Sequence, residues 1–167
     1  MNIEQLNQLT STQAEQFFMQ CCTSSQWVNI MVKSRPFANR QAITEKANLA
    51  WLNLAETDYL EAFAGHPKIG DVNSLRAKYA QTKALAGKEQ GLVKEATEET
   101  LALLCAGNKA YEEKFGFIFI VCATGKTAEE MSDLLQKRLV NNKKQELINA
   151  SEEQRKIFQL RIEKALY

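Results

Sequence analysis

Apolar side chains recur at three- and four-residue spacing along most of this chain, and only two prolines, Pro36 and Pro67, punctuate it. A chain patterned in this way buries stripes of helices, because strands would need alternation with a period of two. Ala14, Phe17, Phe18, Cys21 and Cys22 follow the i, i+3, i+4, i+7 pattern, and Thr12 with Glu15 three residues later reads as the capping box that opens this helix. Ile43, Ala47, Ala50, Trp51 and Leu54 mark another helix, and Thr57 to Ala64 a short one closed by Gly65. From Lys88 to Phe115 the pattern predicts helix with Leu92, Ala96, Leu103 and Leu104 inward and Gly116 as the stop. Gly91 and Gly107 each weaken it by about 1 kcal/mol against alanine. Thr127 with Glu130 and Ser151 with Gln154 read as two further capping boxes, opening segments that end near Val140 and Leu166. Only Phe117 to Val121 looks strand-like, and one strand makes no sheet. The expectation is an all-α, single-domain bundle of about eight helices over residues 1–167.

At 167 residues such a domain buries roughly 68 to 70% of its unfolded surface, so a substantial core is within reach. The 21 basic and 20 acidic residues leave a formal charge of +1, which offers nucleic acid or an anionic membrane no bulk attraction. The longest apolar run, Phe117 to Ala123, has seven residues, against about 20 needed to cross a bilayer. The residues after Met1 lack a secretory pattern and the last three, Ala165-Leu166-Tyr167, lack a peroxisomal one, so a cytoplasmic location is the expectation. Cys21, Cys22, Cys105 and Cys122 form no CxxC pair and read as small buried apolar side chains. With one histidine in the chain, a metal centre is not expected.

That histidine, His66, is where any imidazole chemistry must occur. Pro67 biases it away from helical backbone angles, which ends the preceding helix and holds the imidazole at a helix terminus. The stretch from Gly70 to Gly87 is the least regular, with a brief amphipathic portion at Leu75 to Tyr79, and is expected to cover or shape a site. No G-x-S-x-G elbow, P-loop or G-x-G-x-x-G fingerprint is present, which weakens hydrolase and nucleotide readings. A non-catalytic helical interaction module stays open on these grounds alone.

Four separated strings narrow the choice: HPKIGD from His66 to Asp71, KEQG from Lys88 to Gly91, KFGFIFIVCATG from Lys114 to Gly125, and the RL and RI pairs at Arg138 and Arg161. In order and approximate spacing they resemble the 2-oxo-4-hydroxy-4-carboxy-5-ureidoimidazoline (OHCU) decarboxylases, from about residue 10 to the C-terminus. The resemblance implies an all-helical, usually dimeric enzyme that converts OHCU to (S)-allantoin with loss of carbon dioxide, at the end of urate breakdown and without a cofactor. It makes His66 the catalytic residue and places Pro67 in the substrate pocket. Glu89 and Gln90 match the family's S-x-x-E-Q motif, and Phe119, Ile120, Val121, Cys122 and Ala123 match its F-x-x-x-A segment. The motif serine is replaced by Ala86, followed by Gly87 and Lys88, so a hydroxyl contact is lost or supplied from elsewhere, and backbone amides at Ala86 and Gly87 remain as donors.

The chemistry this implies suits the residues. Loss of a carboxylate leaves an electron pair that the substrate's own imine-type bond can accept, so orientation, charge stabilisation and a proton are what the protein must supply. His66 paired with Glu89 is expected to handle the proton, Gln90 to bond the ureido or ring amide, and the amides of 119–123 the ring oxygens. Arg161 is the candidate partner for the substrate carboxylate through its planar fork. Plainer roles stand beside these: Glu89 and Gln90 on a solvated helix face, Phe119 to Val121 in the core, Arg138 and Arg161 in intramolecular salt bridges. A decarboxylase of a related ureido acid is the other alternative, since such motifs fix a catalytic core better than a substrate.

Overall fold

The computed structural model describes residues 1–68, 71–79 and 97–167. Among these there is no strand, and nine helical segments follow one another: α1 (Ile3–Gln8), α2 (Ser11–Cys21), α3 (Ser25–Lys33), α4 (Arg40–Leu52), α5 (Glu56–Ala64), α6 (72–79), α7 (Glu98–Phe115), α8 (Ala128–Leu139) and α9 (Lys143–Ala165). The all-α expectation holds. No helix among the described residues is long and apolar enough to cross a membrane.

Several helix starts follow from one rule: the first turn leaves N–H groups without partners, and a side-chain oxygen just before it accepts from them. Asn2 accepts from the Gln5 N–H, Ser24 from Trp27, Asn39 from Ala42, Thr97 from Thr100 and Thr127 from Glu130. The Thr127–Glu130 capping box is as expected. The one assigned to Thr12 and Glu15 sits two residues earlier, at Thr10 with Gln13. The one assigned to Ser151 and Gln154 does not exist, because both residues lie inside α9, whose start is capped by Asn142 accepting from the Gln145 N–H at 2.8 Å. The expected helix ending at Leu54 stops at Leu52, and α1 and α3 had no counterpart in the spacing analysis.

Two compact units emerge. The first comprises Met1 to His66 and Asn149 to Tyr167. Its core is aromatic: Phe158 lies 4.9 Å from Trp27 and 5.6 Å from Trp51 between ring centres, and Phe18 meets Trp27 and Phe37 edge to face. Each indole N–H is satisfied by a backbone carbonyl, Trp27 by Ala47 at 3.0 Å and Trp51 by Ser151 at 2.9 Å, as burial of a polar tip requires. Cys21 and Cys22 are buried here, and desolvation pushes their thiols up to about 11 and about 12, so both stay protonated and inert near neutrality.

The second unit runs from Pro67 to Ile148. In it α7 packs on α8, and Gly107 is buried at the contact, where an added Cβ would lie 2.6 Å from Leu135 Cδ2. The glycine that weakens α7 as a helix therefore lets α8 approach. α7 ends at Phe115, with Gly116 in the left-handed region at φ 79°, as a closing glycine should be. Leu104 points inward as expected, but Leu103 is 49% exposed, because α7 turns its buried stripe through Leu101, Leu104, Gly107, Tyr111 and Phe115 instead. Leu92 and Ala96 lie outside the described residues. Cys105 and Cys122 are half-buried, not buried. The strand-like run at 117–121 forms no strand; residues 118–123 are irregular.

Candidate active site

In the first unit the imidazole of His66 is placed by the end of α5. The helix closes at Gly65, and the His66 N–H donates to the Phe63 carbonyl at 3.2 Å, one residue before Pro67 forbids continuation. The last carbonyls of α5 are held from outside, since the Thr23 hydroxyl donates to the Ala62 carbonyl at 3.2 Å. That clasp depends on Gly65, where a Cβ would lie 1.9 Å from Thr23 Oγ1. Glu61 adds to it by accepting from the Ser25 N–H at 2.9 Å.

His66 is half-buried, and its Nε2 faces the side-chain oxygen of Gln154, a fully buried residue of α9. An amide oxygen accepts, so Nε2 carries the proton and Nδ1 is left as the basic nitrogen. The pKa of His66 is held below its ordinary 6.5, first by desolvation and also by the charge of Arg161; the bond that His66 donates to Gln154 works in the opposite sense. The imidazole is thus neutral near pH 7 and available as a base.

Arg161 stands seven residues after Gln154, on the same face of α9 two turns on. Its Nη1 donates to the Cys21 carbonyl at 3.2 Å and the Gln20 carbonyl at 3.5 Å, satisfying the end of α2. The side chain is exposed, and Nε and Nη2 donate no bond among the described residues. Arg161 forms no salt bridge there.

In the second unit Pro67 is exposed and borders a cavity of about 280 Å³ together with Cys105, Lys109 and Ile118. Phe119 and Ile120 are buried, while Val121, Cys122 and Ala123 are half-buried. The irregular segment they form is pinned by Arg138 of α8, whose Nη1 donates to the Ile120 carbonyl at 2.5 Å and whose Nε donates to the fully buried Glu146 at 2.6 Å. Tyr111 donates to the same carboxylate at 2.6 Å, Asn141 donates to its other oxygen at 2.9 Å, and the Phe119 ring lies 4.7 Å from the guanidinium. Burial first, then the bond to Glu146, raises the Tyr111 pKa above its ordinary 10, so the phenol stays a donor. Arg138 is therefore in an intramolecular ion pair. Lys126 holds the far end of the segment, its Nζ donating to the Cys122 carbonyl at 2.8 Å and its N–H to the Ala123 carbonyl at 3.1 Å.

Ala86, Gly87, Lys88, Glu89 and Gln90 lie outside the described residues. Among those described, no group of side chains is arranged to hold a metal ion. Gln154, Tyr111, Glu146 and Lys126 escaped the sequence reading. The only trace of the first was its place seven residues before Arg161; the ion pair joins α8 to α9, so no spacing within one helix marks it.

The described residues make an all-α protein with a single imidazole held at a helix end. Residues 7–163 match the family model described as OHCU decarboxylase, and the chain belongs to that family. It is 35% identical over 144 residues to the uric acid degradation bifunctional protein TTL of Arabidopsis thaliana, covering 86% of this chain and 44% of that protein. It is 40% identical over 88 residues to the 2-oxo-4-hydroxy-4-carboxy-5-ureidoimidazoline decarboxylase of Amia calva, covering 48% and 49%. The chain thus spans just under half the length of these relatives. A crystal structure of OHCU decarboxylase in the presence of (S)-allantoin is similar with a TM-score of 0.72 at 36% identity, covering 89% of this chain and 95% of that one.

Proposed function

We propose that this chain decarboxylates OHCU to (S)-allantoin in urate breakdown, without a cofactor, with His66 as the acid–base residue. The observation that carries the reading is the state of His66 in a chain of this family: neutral near pH 7, with the proton on Nε2 fixed by Gln154 and Nδ1 free to accept. With Nε2 held by Gln154, Nδ1 of His66 takes the proton of the substrate hydroxyl or carboxyl group, and Glu89 acts on the substrate side of that transfer. The bond to the carboxylate carbon then breaks, carbon dioxide leaves, and the electron pair enters the neighbouring imine-type bond of the substrate. A proton returned to one face of the ring completes (S)-allantoin, and acid–base help of this kind is worth about 10² to 10⁴ in rate.

Arg161 binds the substrate carboxylate, which is favoured by its Nε and Nη2 donating no bond among the described residues. The charge is held elsewhere as carbon dioxide departs, by amides of Phe119 to Ala123. The family resemblance adds Pro67 and residues 86–90 as substrate-binding residues, with Gln90 on the ureido or ring amide and the amides of Ala86 and Gly87 in place of the family's serine hydroxyl. The working form is a homodimer, a reading that rests on the family resemblance.

The test is the decay of freshly generated OHCU, followed by ultraviolet absorbance and by circular dichroism of the allantoin formed, with the protein and its His66→Ala variant. Rapid loss with one-handed allantoin, abolished in the variant, is expected. Decay at the spontaneous rate would overturn the proposal and favour a related ureido acid as substrate.

A further inference from the structure

Residues 119–123 belong to no helix or strand, so no ladder of backbone bonds satisfies their carbonyls. Two cations do so instead. Arg138 donates to the Ile120 carbonyl and Lys126 to the Cys122 carbonyl, every second residue. The peptide bonds that follow Ile120 and Cys122 are trans, the one cis bond among the described residues being Arg35–Pro36. In a trans peptide the N–H points opposite to the C=O of the same unit. The Val121 N–H therefore faces away from the Arg138 guanidinium, and the Ala123 N–H away from the Lys126 ammonium. Neither N–H donates a hydrogen bond among the described residues, and both residues are half-buried.

Among the described residues these two N–H groups of a half-buried, irregular stretch have no acceptor, and a buried N–H is costly unless something accepts from it. Each also belongs to a peptide whose oxygen is held by a cation, and hydrogen bonds chained through one amide polarise it, which strengthens the donor at its far end. Arg138 is itself fixed by Glu146, Tyr111 and the Phe119 ring, so the first of these peptides has little freedom to rotate.

We propose that Arg138 and Lys126 are positioning residues that aim and polarise the N–H groups of Val121 and Ala123, making these two amides the donors that receive an oxygen carrying negative charge. This rests on the decarboxylase reading and deepens it: developing anionic charge on a ring oxygen is what such a pair would hold, in a geometry set before the substrate arrives. Neither cation touches the substrate.

The experiment combines amide NMR of the ¹⁵N-labelled protein titrated with (S)-allantoin and steady-state turnover of freshly generated OHCU, for the wild type, Lys126→Met and Arg138→Lys. In the wild type the Val121 and Ala123 amide protons move downfield on titration. Lys126→Met loses the Ala123 response and keeps that of Val121, and Arg138→Lys does the reverse. Complete loss of such a donor costs about 10² to 10³ in kcat, and here the amides remain but are no longer aimed, so each variant falls about tenfold, in kcat more than in KM. Lys126 is only half-buried, so its variant melts with the wild type and separates positioning from folding even if Arg138→Lys does not fold. A wild type that turns over OHCU while neither amide moves would overturn the proposal, as would a Lys126→Met variant of unchanged kcat. A wild type inert toward OHCU sinks the decarboxylase reading instead, and the allantoin titration then decides the amide pair by itself.

Discussion

The two units hold the parts proposed to act on the substrate by different physical means. The first presents a side chain, His66, from a helix end, backed by an apolar aromatic core and one neutral amide, Gln154. The second presents a backbone, residues 119–123, and does so with a buried ion pair, a phenol and a lysine. A side chain at a helix end inherits its position from a helix whose bonds are already satisfied, so one further partner suffices. An irregular backbone has every carbonyl to satisfy separately, and only donors with several oriented N–H groups, arginine above all, do that in a dry interior.

The contrast can be broken at several points. His66→Ala should remove about 10² to 10⁴ of the turnover of OHCU while leaving the melting temperature near that of the wild type; a variant retaining near-wild-type turnover would leave the first unit without its assigned role. Glu146→Gln, which strips Arg138 of its buried counter-charge, should cost about 3–5 kcal/mol in denaturant unfolding. Phe158→Ala, a cavity in the aromatic core, should cost a similar amount, about 3–5 kcal/mol. The difference is in function: at temperatures where both variants are folded, Phe158→Ala keeps its KM and kcat and Glu146→Gln does not. Equal kinetics in the two would show that the ion pair serves stability alone.

A smaller effect, about 1–3 kcal/mol, is expected for Gly65→Ala, which forces a Cβ into Thr23 and so displaces the end of α5. Its activity should fall with His66 out of place, and calorimetry with kinetics on one sample checks both. The smallest effect concerns pH. Because the folded-state pKa of His66 lies below 6.5, the unfolded chain binds the extra proton more readily as pH falls through 6.5, so this group lowers stability on the acid side and contributes nothing above it. Denaturation midpoints of wild type and His66→Ala should therefore diverge below pH 6.5, with the wild type losing more. Gln154→Leu removes the bond that raises the His66 pKa, so the acid limb of kcat/KM should move to lower pH; a limb that stays put would remove Gln154 from the account.

How much of this was legible depends on the distance over which each feature is decided. The α5 helix with its closing Gly65, the Thr127–Glu130 capping box and the start of an all-α reading came from residues within one turn of each other, where the chemistry is local. The same local rule misfired at Ser151 and Gln154, because the pattern of a cap says nothing about whether the preceding residues are helical too. Here they are, back to Lys143. Leu103 failed for a related reason, since spacing names a set of apolar positions but not which stripe finds a partner.

By itself the sequence determined the helical class, the place of its one imidazole before a proline, and the family to which the chain belongs. Tertiary structure alone decided that His66 meets Gln154, 88 residues away, that Gly107 serves the α7–α8 contact, and that the irregular stretch at 119–123 is held by Arg138 and Lys126. The reason is physical: helix propensity and capping act within a turn or two of the chain, whereas the pKa of a buried imidazole and the direction of a peptide N–H are set by whichever groups packing brings beside them.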